Sequence, residues 1–298
     1  MVKLDIISGF LGAGKTTFVN KLLKYYMDSG LKPVCIVNEF GQTGLDAQII
    51  EADGFSAIEL EGGCVCCTLK DDISGALIEV IDTFSPTNIV FEPSGIFVFD
   101  NFFDILKQPE LQQRCEIGSV VTVVDSVNFS FSKAMFGSFI YNQIKNSPAI
   151  LLSKLEKPER QDVDELMCDI KNINPDTYVA AKVWSEWSGD DFAALLGHGA
   201  PAEEHHAHHH SHLHSTTISP AESFTQEKLD TLIDRCINGD FGDIFRVKGI
   251  LDVNGERILL NIAMRDVTVT KFVGPNPQTL TFIGDSIRER RILKFIKG

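Results

Sequence analysis

The sequence of 298 residues has no long apolar run. No stretch approaches the roughly 20 apolar residues that a membrane-spanning helix requires. There is no excess of basic residues either. Lys and Arg number 27 against 41 Asp and Glu, a formal charge of −14. A field of that sign repels phosphate backbones and anionic lipid, which excludes a general nucleic-acid or membrane-surface binder. The seven cysteines are odd in number and sparse for a chain of this length, so they form no disulfide framework. Near the start, Asp5 stands where a signal peptide would carry its apolar core, and the cytoplasm is the expected location. Arginine is absent from residues 38–95, and all eight histidines fall within residues 198–214.

What is present is unevenly distributed. Residues 1–220 carry 15 basic and 30 acidic side chains, whereas residues 221–298 carry 12 and 11. Short apolar segments at 4–8, 34–37, 89–91, 120–124 and 149–152 read as buried strands. Helix-like spacing at 16–29 and 72–84 lies between them. That alternation predicts an α/β domain with a mainly parallel sheet covered on both faces, spanning residues 1–196. Residues 197–219 hold almost no large apolar side chains and read as a His-rich linker. Beyond it, residues 220–298 predict a small α+β domain. A helix at 225–237 precedes strands at 244–251, 257–264, 267–273 and 279–283, and a basic amphipathic segment at 286–296 ends it. Asn254-Gly255 marks a hairpin between the first two of these strands.

Gly9-Phe10-Leu11-Gly12-Ala13-Gly14-Lys15-Thr16 fits G-x4-G-K-[ST] throughout, between a strand and a helix. Glycines let backbone N–H groups turn toward phosphate oxygens, and the helix N-terminus adds its positive end. The expected nucleotide contacts are Gly12, Ala13, Gly14, Lys15 and Thr16, with Lys15 on the β- and γ-phosphates and the Thr16 hydroxyl on Mg²⁺. Glu92-Pro93-Ser94-Gly95 ends a buried strand. There Glu92 suits the Mg²⁺ shell or the attacking water, and the Gly95 N–H the γ-phosphate. A strand-end acid followed by a turn is the plainer reading of the same residues.

Cys64-Val65-Cys66-Cys67 follows Gly62-Gly63. Three thiolates converging after a sharp turn favour Zn²⁺, Cu⁺ or Co²⁺. A fourth position is left for Glu39, a histidine, water or a client protein. Buried apolar cysteines or a redox pair are the alternatives. The linker adds His205, His206, His208, His209, His210, His212 and His214, a flexible chelator that raises local metal concentration or a merely solvated loop.

The phosphate loop continued to Thr17, Asn38-Glu39-Phe40-Gly41, the C-x-C-C motif and Glu92-Pro93-Ser94-Gly95 together resemble the CobW family. These are metallochaperone P-loop GTPases related to UreG and HypB. Phe245-Arg246-Val247-Lys248-Gly249 and Leu280-Thr281-Phe282-Ile283-Gly284 resemble the family's appended domain. The resemblance implies a switch region that includes Asp46 beside Mg²⁺. It also implies GTP-dependent reshaping of the cysteine loop, transfer of Zn²⁺ or Co²⁺ to a metalloprotein client, and a homodimer. Intrinsic hydrolysis should be slow, because residues 38–95 supply no arginine finger. The family reads guanine with Asn-Lys-x-Asp or Thr-Lys-x-Asp. Here Ser153-Lys154-Leu155-Glu156 keeps the lysine, with a shorter first residue and a longer acid. GTP is expected over ATP. A nucleotide-regulated metal buffer without turnover and an ATP-dependent kinase are the competing readings. Trp184 and Trp187 are expected to pack against the second domain, and Asp125 to face the nucleotide or simply to end its strand.

Overall fold

The computed structural model describes residues 1–38, 50–51, 54–60, 69–99, 102–157, 159–201, 214–264, 266–274 and 277–297. These residues form two compact units, each with its own sheet.

The first unit is built on seven strands: β1 Val2–Gly9, β2 Pro33–Val37, β3 Ala57–Glu59, β4 Asn88–Glu92, β5 Cys115–Asp125, β6 Ala149–Ser153 and β7 Tyr178–Ala180. They pair in parallel in the order β3-β2-β4-β1-β5-β6-β7. Its helices are α1 Lys15–Asp28, α2 Leu69–Phe84, the short α3 Pro109–Gln112, α4 Phe129–Lys145, α5 Val163–Ile173 and α6 Gly189–Leu196. The strands are apolar on both sides because both faces are covered. Leu4 and Ile6 of β1, with Val34, Ile36, Ile89 and Phe91, pack against Ile73, Leu77 and Val80 of α2. Ile7, Cys35, Val37, Val90 and Val123 turn the other way, onto Phe18, Val19, Leu22 and Leu23 of α1. The period of two along each strand thus fills two cores.

One polar cluster sits inside this sheet. Asp5 is buried and accepts hydrogen bonds from Tyr26 Oη at 2.8 Å, Ser119 Oγ at 2.8 Å and Asn88 Nδ2 at 3.2 Å. Burial pushes the Asp5 carboxyl above its ordinary value, and the three donors only partly oppose that. Above the usual carboxylate range the unfolded chain has lost this proton while the folded chain still holds it. The stability contributed by Asp5 therefore falls as pH rises from about 4 through the folded value, by about 1.4 kcal/mol per unit of difference. Asp5→Asn removes this titration. The stability of the unsubstituted protein relative to Asp5→Asn should decline in urea melts as pH rises above about 4. A constant difference would place Asp5 at its ordinary value.

The second unit has strands β8 His214–Ile218, β9 Asp243–Val253, β10 Glu256–Ala263, β11 Asp266–Lys271 and β12 Thr279–Asp285, with helices α7 Gln226–Ile237 and α8 Glu289–Lys297. The strand order is β11-β10-β9-β12-β8, antiparallel throughout. Asn254 and Gly255 both have positive φ, 50° and 85°, as the predicted hairpin requires. Leu229, Leu232 and Cys236 of α7 and Ile292 and Ile296 of α8 pack on Val247, Leu251, Leu260, Leu280 and Phe282. The expected linker at 197–219 overlaps β8. Residues His214–Ile218 are an edge strand paired with β12, so His214 lies opposite Gly284 instead of in a free tract. The Ser and Thr side chains that made this segment look loop-like are largely exposed along the sheet edge.

Candidate functional site

The phosphate loop joins β1 to α1. Gly9, Gly12 and Gly14 have φ of 145°, 72° and 98°, in the region that favours glycine. A Cβ at Gly9 would also collide with the Val123 carbonyl oxygen. The loop closes through Ala13 N donating to Phe10 O at 3.2 Å. Lys15 opens α1 and is buried, with Nζ donating to Phe10 O at 3.4 Å. The next residue, Thr16, donates from Oγ1 to Glu92 Oε1 at 2.9 Å. Glu92 is the last residue of β4 and is buried, and its carbonyl accepts from Asn38 N at 2.9 Å. Thr17 is exposed on the first turn of α1.

Two residues beyond Pro93 the chain touches the loop itself. A Cβ on Gly95 would lie 2.6 Å from Leu11 Cδ2, 2.7 Å from Leu11 N and 2.9 Å from Leu11 Cα. The segment after β4 is held there by α4. Gln143 Nε2 donates to Gly95 O at 3.2 Å and to Phe97 O at 3.0 Å, and Asn142 Oδ1 accepts from Phe99 N at 2.9 Å. The α4 backbone departs from helical geometry at Phe136, whose ring lies 4.8 Å from that of Phe10. One helix thus contacts both the phosphate loop and the segment that follows Glu92. Sequence reasoning assigned no role to Gln143, because a glutamine bonding distant carbonyls leaves no motif.

The loop after β6 lies on the other side. Ser153 is buried, donating from Oγ to Val124 O at 3.2 Å, while Lys154 has φ 58°. Lys154 Nζ pairs with Asp125 Oδ2 at 2.8 Å, and both side chains are largely buried. Asp125 Oδ1 also accepts from the backbone N–H groups of Val127 and Asn128. Asp125 therefore caps its own strand end, as the plainer of its two sequence readings has it, and also fixes the Lys154 ammonium. Glu156 is exposed at the following turn.

The tryptophans have partners within the first unit. Trp184 and Trp187 are partly buried and pack against the core of the first unit, with ring centroids 5.6 Å and 5.8 Å from Phe18. Trp184 Nε1 donates to Leu152 O at 2.9 Å, and its ring edge lies 3.4 Å from where a Gly14 Cβ would be. An indole therefore spans from the phosphate loop to the end of β6. The sequence shows only two tryptophans three residues apart, because the bond of Trp184 ends on a backbone carbonyl and leaves no motif.

The site fits Mg²⁺ by donor chemistry. Thr16 and Glu92 bring a hydroxyl and a carboxylate, hard oxygen donors, together at the N-terminus of a helix. The cysteine reading falls elsewhere. Glu39, Asp46, Cys64, Cys66, Cys67, His205, His206, His208, His209, His210 and His212 lie outside the described residues. Among the described residues no group of three His, Cys, Asp or Glu side chains could hold a metal. Cys35, Cys115 and Cys236 are buried core thiols. Burial raises the Cys35 thiol well above its ordinary value, assisted by the Glu92 charge, and pushes Cys115 to about 11 and Cys236 to about 12. Cys168 is exposed.

Residues 3–181 match the family model described as "CobW/HypB/UreG, nucleotide-binding domain". The chain belongs to this family. Residues 213–297 match the cobalamin synthesis protein cobW C-terminal domain. The family chain is 34% identical over 132 residues to a zinc chaperone CobW of Sinorhizobium sp, an alignment covering 42% of this chain and 37% of that relative. It is 27% identical over 309 aligned positions to a zinc chaperone CobW of Pseudomonas aeruginosa, covering 86% and 78% of the two chains. The Zn(II)-bound YjiA GTPase from E. coli, a solved structure, is 16% identical, with 99% and 97% of the chains covered and a TM-score of 0.48. Among the described residues, no helix of this CobW/HypB/UreG member is long and apolar enough to cross a membrane.

Proposed function

We propose that the protein is a GTP-hydrolysing metal chaperone that delivers a transition metal to a metalloprotein client. The observation that carries this reading is the convergence of three segments. Lys15 and Thr16 open α1, Glu92 meets Thr16 at 2.9 Å, and Gly95 abuts Leu11 of the phosphate loop. In this reading Gly12, Ala13 and Gly14 present backbone N–H groups to the phosphates. Lys15 neutralises charge that develops on the γ-phosphoryl oxygens as water attacks phosphorus. Glu92 orients that water or the metal shell, and the Gly95 N–H reports the γ-phosphate. Thr16 and Glu92 would hold Mg²⁺, which when bound supplies charge neutralisation at the phosphates. Ser153, Lys154 and Glu156 take the base, with Lys154 held in place by Asp125. Intrinsic turnover is slow, since residues 38–95 contain no arginine.

The metal is carried on Cys64, Cys66 and Cys67, with Glu39 or a client group completing the set. Asp46 would serve the Mg²⁺ shell in this reading, and the histidine tract acts as a supply. Zinc leads because the relatives matched are named zinc chaperones, and cobalt follows from thiolate chemistry.

If nucleotide state controls metal release, the two affinities are linked reciprocally. Zn²⁺ affinity, measured by competition with a chromophoric chelator, should differ between the GDP form and a nonhydrolysable GTP form by about 5–150-fold. GTP-analogue affinity should shift by the same factor with Zn²⁺ present. Equal Zn²⁺ affinity in both forms would leave a metal buffer and remove the chaperone cycle.

A further inference from the structure

The second unit carries a cationic groove that the nucleotide reading does not use. It opens between α7, α8 and the turn before β9, with a volume of about 600 Å³, within the range of ligand sites. Its lining is Arg235, Asp240, Phe241, Arg291, Lys294 and Phe295. The arginines are held in position without being neutralised. Arg235 Cζ lies 4.9 Å from the ring centroid of Phe295 and 6.0 Å from that of Phe241. Arg291 Nη1 donates to the Asp240 carbonyl at 3.3 Å, and Arg288 Nη1 to the same carbonyl at 3.4 Å and to Gly239 O at 3.3 Å. Lys228 lies 4.9 Å from the Phe224 ring centroid and donates to Ile296 O at 2.9 Å.

Ring faces and carbonyls orient these cations, but they supply no counter-charge. None of the ion pairs among the described residues includes Lys228, Arg235, Arg288, Arg291 or Lys294, whereas cations elsewhere pair readily, as in Lys3–Glu116, Lys133–Asp169 and Arg257–Asp252. Asp240 is the one carboxylate in the lining. This concentration of unpaired positive charge occurs in a chain whose net charge is −14. Guanidiniums fixed in orientation are suited to carboxylates, which they take through two parallel N–H···O bonds.

We propose that this groove docks an acidic peptide segment, rich in Asp and Glu, of a partner protein. A nucleic acid fits less well. A long polyanion is disfavoured by a chain whose net charge is −14. The groove also offers no open ring for base stacking, since Phe241 is 1% exposed and Phe295 lies beneath Arg235.

The test uses the full chain without nucleotide or metal, so its outcome is independent of the GTPase reading. A fluorescein-labelled octaglutamate peptide is titrated with protein by anisotropy, beside a Gly/Ser peptide and a twelve-residue thymidine oligonucleotide. Octaglutamate alone should bind, and more weakly as salt is raised. The double variant Arg291→Glu, Lys294→Glu should lose at least about tenfold in affinity, the equivalent of 1.4 kcal/mol, with its thermal unfolding unchanged. The single change Lys294→Gln on the exposed side of α8 should weaken binding in the same direction, and it serves if the double variant fails to fold. Absence of octaglutamate binding, or equal binding by the folded variants, would overturn the proposal. Tighter binding of the oligonucleotide would overturn it in favour of a nucleic-acid surface.

Discussion

Lys15→Ala is expected to lower GTP hydrolysis by about 10²–10³-fold, the size of loss seen when a single preorganised charge is removed from a transition state. Lys15 is 5% exposed at the first position of α1, where its ammonium is kept over the loop by Phe10 O. The side chain belongs to neither apolar cluster of the first unit. The substitution should therefore leave thermal unfolding within a few degrees of the unsubstituted protein while phosphate release collapses. Single-turnover phosphate release at saturating GTP, with a melt in parallel, measures both. Turnover equal to that of the unsubstituted protein would remove Lys15 from the reaction.

The second large effect is expected from one methyl group. In Gly95→Ala the new Cβ meets Leu11 N at 2.7 Å and Leu11 Cα at 2.9 Å, and both are backbone atoms that cannot rotate away. The phosphate loop and the segment after Glu92 must then separate, yet Gln143 ties that segment through Gly95 O and Phe97 O. Overpacking of this kind costs about 1–3 kcal/mol. Displacing the Gly95 N–H should also reduce hydrolysis by about 10²-fold, as loss of one aligned donor does. The matched control is Gly75→Ala in α2, where the added methyl meets nothing within 4 Å. Normal hydrolysis by Gly95→Ala, with an unchanged melting temperature, would show that the contact yields freely and senses nothing.

Much of the first unit was readable because its parts obey short-range rules. Glycine placement, a lysine and a hydroxyl at fixed offsets specify the phosphate loop, and apolar runs mark the interior strands. The strands that escaped notice, β3 and β7, are three residues long and lie at the two edges of the sheet, where neither length nor apolar content sets them apart. β8 was hidden for a related reason, since His214–Ile218 is polar and open to solvent along most of its length. The site was legible where one residue type had one chemical use, as at Lys15 and Thr16. It was not legible where meaning came from a distant partner. Gln143 matters through carbonyls at Gly95 and Phe97, and Trp184 through Leu152 and Gly14. Such bonds end on backbone atoms, which every residue possesses.

The position of β1 has a consequence for how the molecule is made. The strand bearing the phosphate loop pairs with β4 on one side, Ile6 opposite Phe91, and with β5 on the other, Gly9 opposite Val123. At a synthesis rate of about 5–20 residues per second, roughly 6–24 s pass before a ribosome has made both neighbours. Until then the strand that carries the loop lacks its β5 neighbour, and Gly9 has no Val123 to lie against. Slowing translation after β1 would prolong that interval, during which the apolar residues of β1 have only part of the sheet that buries them.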